Sequence, residues 1–395
     1  LASVVLLAGC ASGGPEPGRD PAPADPPAAV RVGGRDLALE GPLVHGNLAL
    51  FVLRGPGGDG REWITLDQGL AAGTVLVAEK GAAQGRDEAE VNELTLENRS
   101  DRWLFLQAGD VVKGGKQDRV VGRDVALAPN SPPQGLDAFC VEHGRWVAGR
   151  EGRWDGDVEI AQAANLQPSG GAGFALPSHS FSSNTALVNG PALRRAIQVA
   201  GSQQEVWREV ASVERGASIS QSGTVAFQVR EGGGSAGMDN GGVGLSSTGT
   251  YNALLSVEKI VKAREDAVKA LLDEVLRRPD AVGIVAAVDG EILGADCYDS
   301  PGILRAMARK IVESWAVDAV LPGEKGRPAA PTVSAPPTAE AVRAFLEDAG
   351  GAGRVEERPG HLRRVLREGK GAHVLEYRAA AGEEAEPLHV NWIRK

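Results

Sequence analysis

The residues from Asn252 to Arg278 read NALLSVEKIVKAREDAVKALLDEVLRR, and this stretch limits the fold more than any other part of the chain. Leu254, Val257, Ile260, Val261, Val268, Leu271, Leu272 and Val275 recur at helical spacing with charges on the opposite side, which predicts one amphipathic helix, continuous from about Leu254 to Leu276. The next residues can cover its apolar stripe. Val282 to Val288 reads VGIVAAV, a buried strand; Asp289-Gly290 suits a two-residue type I′ turn; Glu291 to Cys297 is the returning strand. Ser300 and Pro301 then offer an N-cap and a first-turn proline to a second helix that runs to about Val320, with Ile303, Leu304, Met307, Ile311, Val312 and Trp315 along one face. Helix, hairpin and helix make a compact α+β layer.

Ahead of this layer the signals are those of strands. Apolar runs at Leu48 to Leu53 and Thr74 to Ala78 each end in glycine-containing turns. VNELTLENRSDRWLFL predicts a hairpin, Val91 to Leu96 pairing with Trp103 to Leu106, and a further pair is expected around Val120 to Leu127. Asp155 to Asn189 is rich in Gly and Ser and reads as a surface excursion with Trp154 and Phe174 as isolated anchors; Pro191 to Arg215 reads as a broken helix pair; Glu231 to Gly249 is a flexible loop by composition. The expected fold is α+β: an N-terminal β-rich, sandwich-like half, the helix-hairpin-helix layer, and a small appended α+β tail. The main domain spans residues 30–322 and is long enough to hold two subdomains, residues 323–337 form a Pro- and Ala-rich linker, and residues 338–395 form the tail, with a helix starting at Thr338 and strands at His373 to Tyr377 and Leu388 to Ile393.

The first residues, LASVVLLAGC, form an apolar run that stops at Cys10. A helix needs about 20 apolar residues to cross a bilayer, so this run is too short to span one. Leu7-Ala8-Gly9-Cys10 resembles the lipobox of bacterial lipoproteins, which implies cleavage before Cys10 and acylation of that residue. Residues 1–9 are then the remnant of a signal and residues 10–29, rich in Pro, Gly and Ala, a disordered tether. Without an initiator Met or a basic segment, the sequence is expected to begin inside the leader. The other readings are an ordinary secretory signal with an incidental cysteine, or the start of a core strand. Lipidation at Cys10 makes the membrane a partner and places the protein in the bacterial cell envelope, facing the periplasm or the exterior.

A net charge of −10 and no basic stripe argue against a nucleic-acid partner. Beyond Cys10 the cysteines are Cys140 and Cys297, two thiols whose pairing is a question of geometry. The densest polar run is GDVVKGGKQDRVVGRD, in which Asp110, Lys113, Lys116, Gln117, Asp118 and Arg119 fall at a strand end and turn that Gly109, Gly114 and Gly115 let bend sharply. Lys116 and Arg119 can clamp an anion there, and the same run equally suits a solvated turn or an internal ion-pair network. Its glycine spacing does not match a phosphate-binding P-loop. A second cluster, AFCVEHGRWVAGR, holds Cys140, Glu142, His143, Arg145 and Trp146, but strand alternation puts Cys140 and His143 on opposite faces, so Cys140 reads as buried filler rather than nucleophile. The histidines at positions 45, 143, 179, 361, 373 and 389 lack metal-ligand spacing, and no GxSxG elbow is present, so neither a metal nor a cofactor is expected. Asp296 and Asp299 flank Cys297 where a hard cation could bind, although Asp299 is better placed to cap a helix.

ELTLENRSDRWLFLQAGDVVKGGKQDR, FCVEHGRW, SQQEVWREV and GIVAAVDGEILGADCYDSP occur in this order, and together they resemble the ARG and Rhodanese-Phosphatase-superfamily-associated Protein domain, a bacterial domain of unknown function. The resemblance covers roughly Val30 to Val320 and leaves the last seventy-odd residues outside. It implies no reaction and no catalytic residues, only a gene neighbourhood of ADP-ribosylglycohydrolases, rhodaneses and phosphatases. The blocks place Gly109, Asp110, Gly114, Lys116, Gln117, Arg119, Cys140, Glu142, Gly144, Arg145 and Trp146 in its polar segments. Two functions fit these residues. One is an envelope lipoprotein that binds a small anionic ligand, or serves as an accessory protein, with Asp110, Lys116, Gln117, Arg119, Glu142 and Arg145 as the candidate ligand-binding residues. The other is a hydrolase acting on a nucleotide-related or phosphorylated substrate, with Asp110 or Glu142 as general base and Lys116, Arg119 and Arg145 neutralising the anion. A structural role in the envelope needs no site. The lack of a recognised catalytic motif favours binding or an accessory role.

Overall fold

Strand pairing in the computed structural model brings both ends of the described chain into one sheet. Residues 28–58, 60–80, 93–114, 117–141, 181–221, 251–321, 334–348, 350–358, 361–379 and 386–395 are described. The strands are β1 (Ala28–Val32), β2 (Arg35–His45), β3 (Leu48–Arg54), β4 (Trp63–Thr65), β5 (Val75–Glu79), β6 (Glu93–Asn98), β7 (Trp103–Leu106), β8 (Asp110–Gly114), β9 (Arg119–Val121), β10 (Val125–Leu127), β11 (Ser131–Cys140), β12 (Phe181–Leu187), β13 (Ala281–Val288), β14 (Glu291–Tyr298), β15 (Arg354–Glu356), β16 (Arg363–Glu368), β17 (Ala372–Arg378) and β18 (His389–Arg394). The helices are α1 (Leu66–Ala71), α2 (Pro191–Arg195), α3 (Gln203–Gln221), α4 (Tyr251–Leu255), α5 (Glu258–Ala267), α6 (Asp273–Leu276), α7 (Pro301–Val320) and α8 (Ala339–Glu347). π-helical turns extend α2 over Ala196–Ala200 and join α5 to α6 over Val268–Leu272.

The architecture is mixed α+β. A nine-stranded antiparallel sheet has the order β1-β2-β3-β13-β14-β18-β17-β16-β15, a six-stranded sheet the order β12-β8-β9-β11-β6-β5, and a three-stranded sheet the order β10-β7-β4. β13 and β14 form the expected hairpin, with Asp289 and Gly290 both at positive φ as a type I′ turn requires. They run through the middle of the large sheet, so nearly every residue in them is buried. Strand alternation divides their side chains between two cores. Ile284, Ala286 and Val288 face α7, Leu271 and Val275, while Val282, Val285 and Ala287 share a core with Val342 and Leu346 of α8. The C-terminal strands, expected as an appended tail, enter this sheet through β18, which pairs with β14. α7 starts as its sequence indicates, with the Ser300 hydroxyl accepting the Gly302 N–H at 3.1 Å and Pro301 in the first turn.

Four local expectations change. The helix from Leu254 to Leu276 is interrupted, because Val257 is extended and caps a new helix at Glu258. Its stripe serves two cores: Leu254, Val257 and Ile260 pack with Tyr251 and Val141, whereas Ala267, Leu271 and Val275 pack against α7 and the large sheet. β6 and β7 exist but do not pair. β6 joins β5 and β11, while β7 joins β10 and, in parallel, β4. Asn98 makes the connection a corner, its amide donating to the carbonyls of Arg102 and Ala128 at 2.9 Å, and a turn tied this way sends the chain into the next sheet. β9 and β10 part in the same manner, β9 to β8 and β11 and β10 to β7. β12 lies within the stretch read as irregular and pairs with β8. Trp154 and Phe174, and the loop from Glu231 to Gly249, lie outside the described residues. Pro191 to Arg215 is the expected broken helix, interrupted at left-handed Gly201. Cys140 and Cys297 are buried and not bonded to each other, and among the described residues no helix is long and apolar enough to cross a membrane.

Candidate functional site

Within the polar run, Asp110, Gln117, Asp118 and Arg119 are folded inward. β8 and β9 pair across it as antiparallel strands, so these four residues do not form a solvated turn; Gly115 and Lys116 lie outside the described residues. Asp118 ties the turn by accepting the Gly114 N–H at 3.2 Å and the Asn252 amide. Asp110 and Arg119 go to different partners. The Asp110 carboxylate accepts the Gln107 N–H at 2.9 Å and takes Lys310 of α7, whose ammonium also meets Asp67 at 2.8 Å. Burial works against the Lys310 charge, but Asp110 and Asp67 together raise its pKa. Burial likewise pushes the Asp110 carboxyl up, to about 6, in spite of Lys310.

Arg119 is 0% exposed. Its Nη1 donates to the Gln117 carbonyl at 2.9 Å, and its Nη2 lies 3.7 Å from Glu79 Oε1, an ion pair too long for a hydrogen bond. Its Nε and Nη2 therefore keep no hydrogen-bond acceptor. Lys116, Glu142 and Arg145, with His143 beside them, lie outside the described residues. Cys140 is a buried filler in its surroundings: the Gln203 side chain accepts its N–H and donates to its carbonyl, both at 2.8 Å, taking the place of a neighbouring strand.

A second polar centre lies where the sheets meet. His389, the first residue of β18, turns Nδ1 to Asp124 Oδ2 at 2.5 Å and Nε2 to Asp296 Oδ1 at 3.3 Å, and all three are buried. Tyr298 stacks on the imidazole at 4.5 Å, Tyr377 lies parallel to it at 6.2 Å, and Phe105 meets it edge-on at 6.0 Å. Asp296 also accepts the Gln107 amide at 2.8 Å, the Asn391 amide at 2.7 Å and Arg194 Nη1 at 3.4 Å. Burial disfavours the imidazolium, yet the two carboxylates raise the His389 pKa to about 9. Burial would raise Asp296 as well, but Arg194 and His389 hold it below the ordinary carboxylate value. His389 Nε2 meets Asp296 as an ion pair without hydrogen-bond geometry and Asn391 Oδ1 has no partner, but the charges balance and join β14, β18 and the corner after β9 as an internal clamp.

The sequence reading weighs Asp296 as a cation ligand and lists His389 only among histidines without metal-ligand spacing, and it singles out neither Asp124 nor Arg194 as a site residue. One signal was available: in LHVNWI, His389 and Asn391 alternate with Val390 and Trp392, and Asp296 and Tyr298 alternate in the same way in GADCY, which marks polar positions on the inner face of buried strands. Among the described residues no group of three or more His, Cys, Asp or Glu is arranged to hold a metal ion.

These features define a mainly antiparallel α+β protein whose sheets are joined by buried ion pairs. The chain belongs to the ARG and Rhodanese-Phosphatase-superfamily-associated Protein domain family, which matches residues 36–389. The match runs past the expected limit near Val320 because the C-terminal strands are part of the large sheet and His389 part of its polar centre. No curated protein and no solved structure matches the chain.

Proposed function

We propose that the protein is a lipid-anchored component of the bacterial cell envelope that binds a small anion at the β8–β9 turn, through Arg119 and Gln117, with Lys116, Glu142 and Arg145 completing the site. The observation that carries this reading is the buried guanidinium of Arg119, whose Nε and Nη2 lack a hydrogen-bond acceptor and whose ion pair with Glu79 is long, at 3.7 Å. A buried charge with unmet donors is costly to keep unless a partner of opposite charge fills the position. The anchor rests on Leu7-Ala8-Gly9-Cys10 and the Pro-rich stretch after it. Two acyl chains give stable anchoring where one is marginal. A precursor expressed in bacteria should incorporate labelled palmitate and partition into detergent, and Cys10→Ser should do neither; equal labelling of both would refute the anchor.

The ligand is tested by thermal shift with nucleotides, ADP-ribose, sugar phosphates and inorganic anions. A cognate anion should raise the midpoint of the wild type and not that of Arg119→Ala. No shift in the wild type, or equal shifts in both, would remove the turn from consideration. The hydrolase reading keeps one supporting observation, the Asp110 carboxyl pushed to about 6, in the range of a general base. Its ion pair with Lys310 inside the fold makes binding the stronger reading.

A further inference from the structure

Four residues beyond Arg119, at the corner between β9 and β10, Arg123 is 2% exposed. Asp124 beside it turns to His389, while Arg123 faces the C-terminal strands. Its nearest carboxylate is Asp137 of β11, with Oδ2 3.9 Å from Nη1, and that oxygen is already hydrogen-bonded by Arg358. Nε and Nη2 of Arg123 have no hydrogen-bond partner. Those two atoms form one edge of the guanidinium, the edge whose parallel N–H groups match two oxygens of a carboxylate or phosphate.

The surroundings add donors rather than acceptors. Arg364 of β16 gives Nη1 to the Gln198 carbonyl at 2.8 Å and Nη2 to Glu356 at 2.6 Å, which leaves its Nε without a hydrogen-bond partner. The Tyr377 hydroxyl of β17 lies against the Arg364 guanidinium and near Arg123, and the His361 Nδ1 has no hydrogen-bond partner. Arg123, Arg358 and Arg364 bring three positive charges, and Asp137 and Glu356 bring two negative ones. Burial, then Arg364 and Arg358, pulls the Arg123 pKa below its ordinary value. Guanidinium does not give up its proton inside a protein, so an anion is the remaining way to balance the charge. Arg358, whose side chain is 53% exposed, and Asp137 place the cluster next to the protein surface.

We propose that Arg123, Arg364 and Tyr377 form an oxyanion pocket that takes the phosphate or carboxylate group of a small ligand on the side of the fold closed by the C-terminal strands. The pocket uses none of the residues of the β8–β9 turn and stands whether or not Arg119 binds an anion.

Calorimetric titration of the full chain with inorganic phosphate, and separately with malonate, tests it. The wild type should show saturable uptake, and the probe that saturates at the lower concentration gives the ligand class. Arg123→Met should weaken that uptake by at least about tenfold, since hydrogen bonds to charged groups are the strong ones. In anion-free buffer the same variant should melt no lower than the wild type, because an apolar side chain replaces an uncompensated charge. Tyr377→Phe keeps the ring beside His389 and should weaken uptake several-fold. No saturable uptake of either probe by the wild type, uptake unchanged in both variants, or an Arg123→Met protein that unfolds without anion would each overturn the pocket. Uptake lost only in Arg119→Ala would overturn it as well and assign the anion to the β8–β9 turn.

Discussion

The imidazole of His389 has a carboxylate at each ring nitrogen, Asp124 from the corner after β9 and Asp296 from β14, with Tyr298 and Tyr377 parallel to its plane and Arg194 behind Asp296. An unfolded histidine titrates near 6.5 and this one near 9. The folded value is raised, so the stabilisation is fully present below the unfolded value and is lost as pH rises through the folded one. Tyr298 and Tyr377 are pushed above this window by burial and Asp296 is held below it, which leaves His389 as the group at this centre that titrates there. Urea unfolding should show the wild type losing about 3 kcal/mol between pH 6.5 and pH 9. His389→Gln should be less stable at the low end, since two carboxylates lose their cation, and should lack this slope. A wild type equally stable at both ends would show that the ring is not charged. Local sequence reading singles out Asp110, Gln117 and Arg119 as candidates because charges and glycines are adjacent there. It did not find His389 with Asp124, because 265 positions separate them and only the sheet order brings them together.

At the scale of the element, the amphipathic stripe between Leu254 and Leu276 is not uniform. Val275 is fully buried against α7 and the large sheet, whereas Val268 is only partly buried at the start of the π-helical turn. Val275→Asp should therefore unfold the protein at ordinary temperature, since it buries an unpaired charge, and Val268→Asp should cost less, about 1 to 3 kcal/mol by urea denaturation. Equal costs would mean that the helix presents a different face to the core. Element types and caps could be read from local chemistry: Ser300 and Thr338 cap their helices, and Asp289-Gly290 makes its turn. Pairing could not. β6 and β7 have the alternation of a hairpin, but the corner at Asn98 sends them to separate sheets, and alternation reports which face is buried without naming the neighbouring strand.

At the scale of the whole molecule, the large sheet takes strands from both halves of the chain, β3 on one side of the β13–β14 hairpin and β18 on the other, and buried charges hold the remaining sheets against it. A ligand held by one of those charges is bound only by the folded chain, so its concentration sets the global stability. This makes Arg119 accessible to a measurement that needs no activity assay. The stability of the wild type and of Arg119→Ala should be measured by urea unfolding against rising concentrations of the anion that gives the largest thermal shift. Above its dissociation constant one bound anion adds about 1.4 kcal/mol for each tenfold rise in concentration. The wild-type slope should exceed that of Arg119→Ala by that amount, and parallel slopes would contradict the assignment of an anion to Arg119.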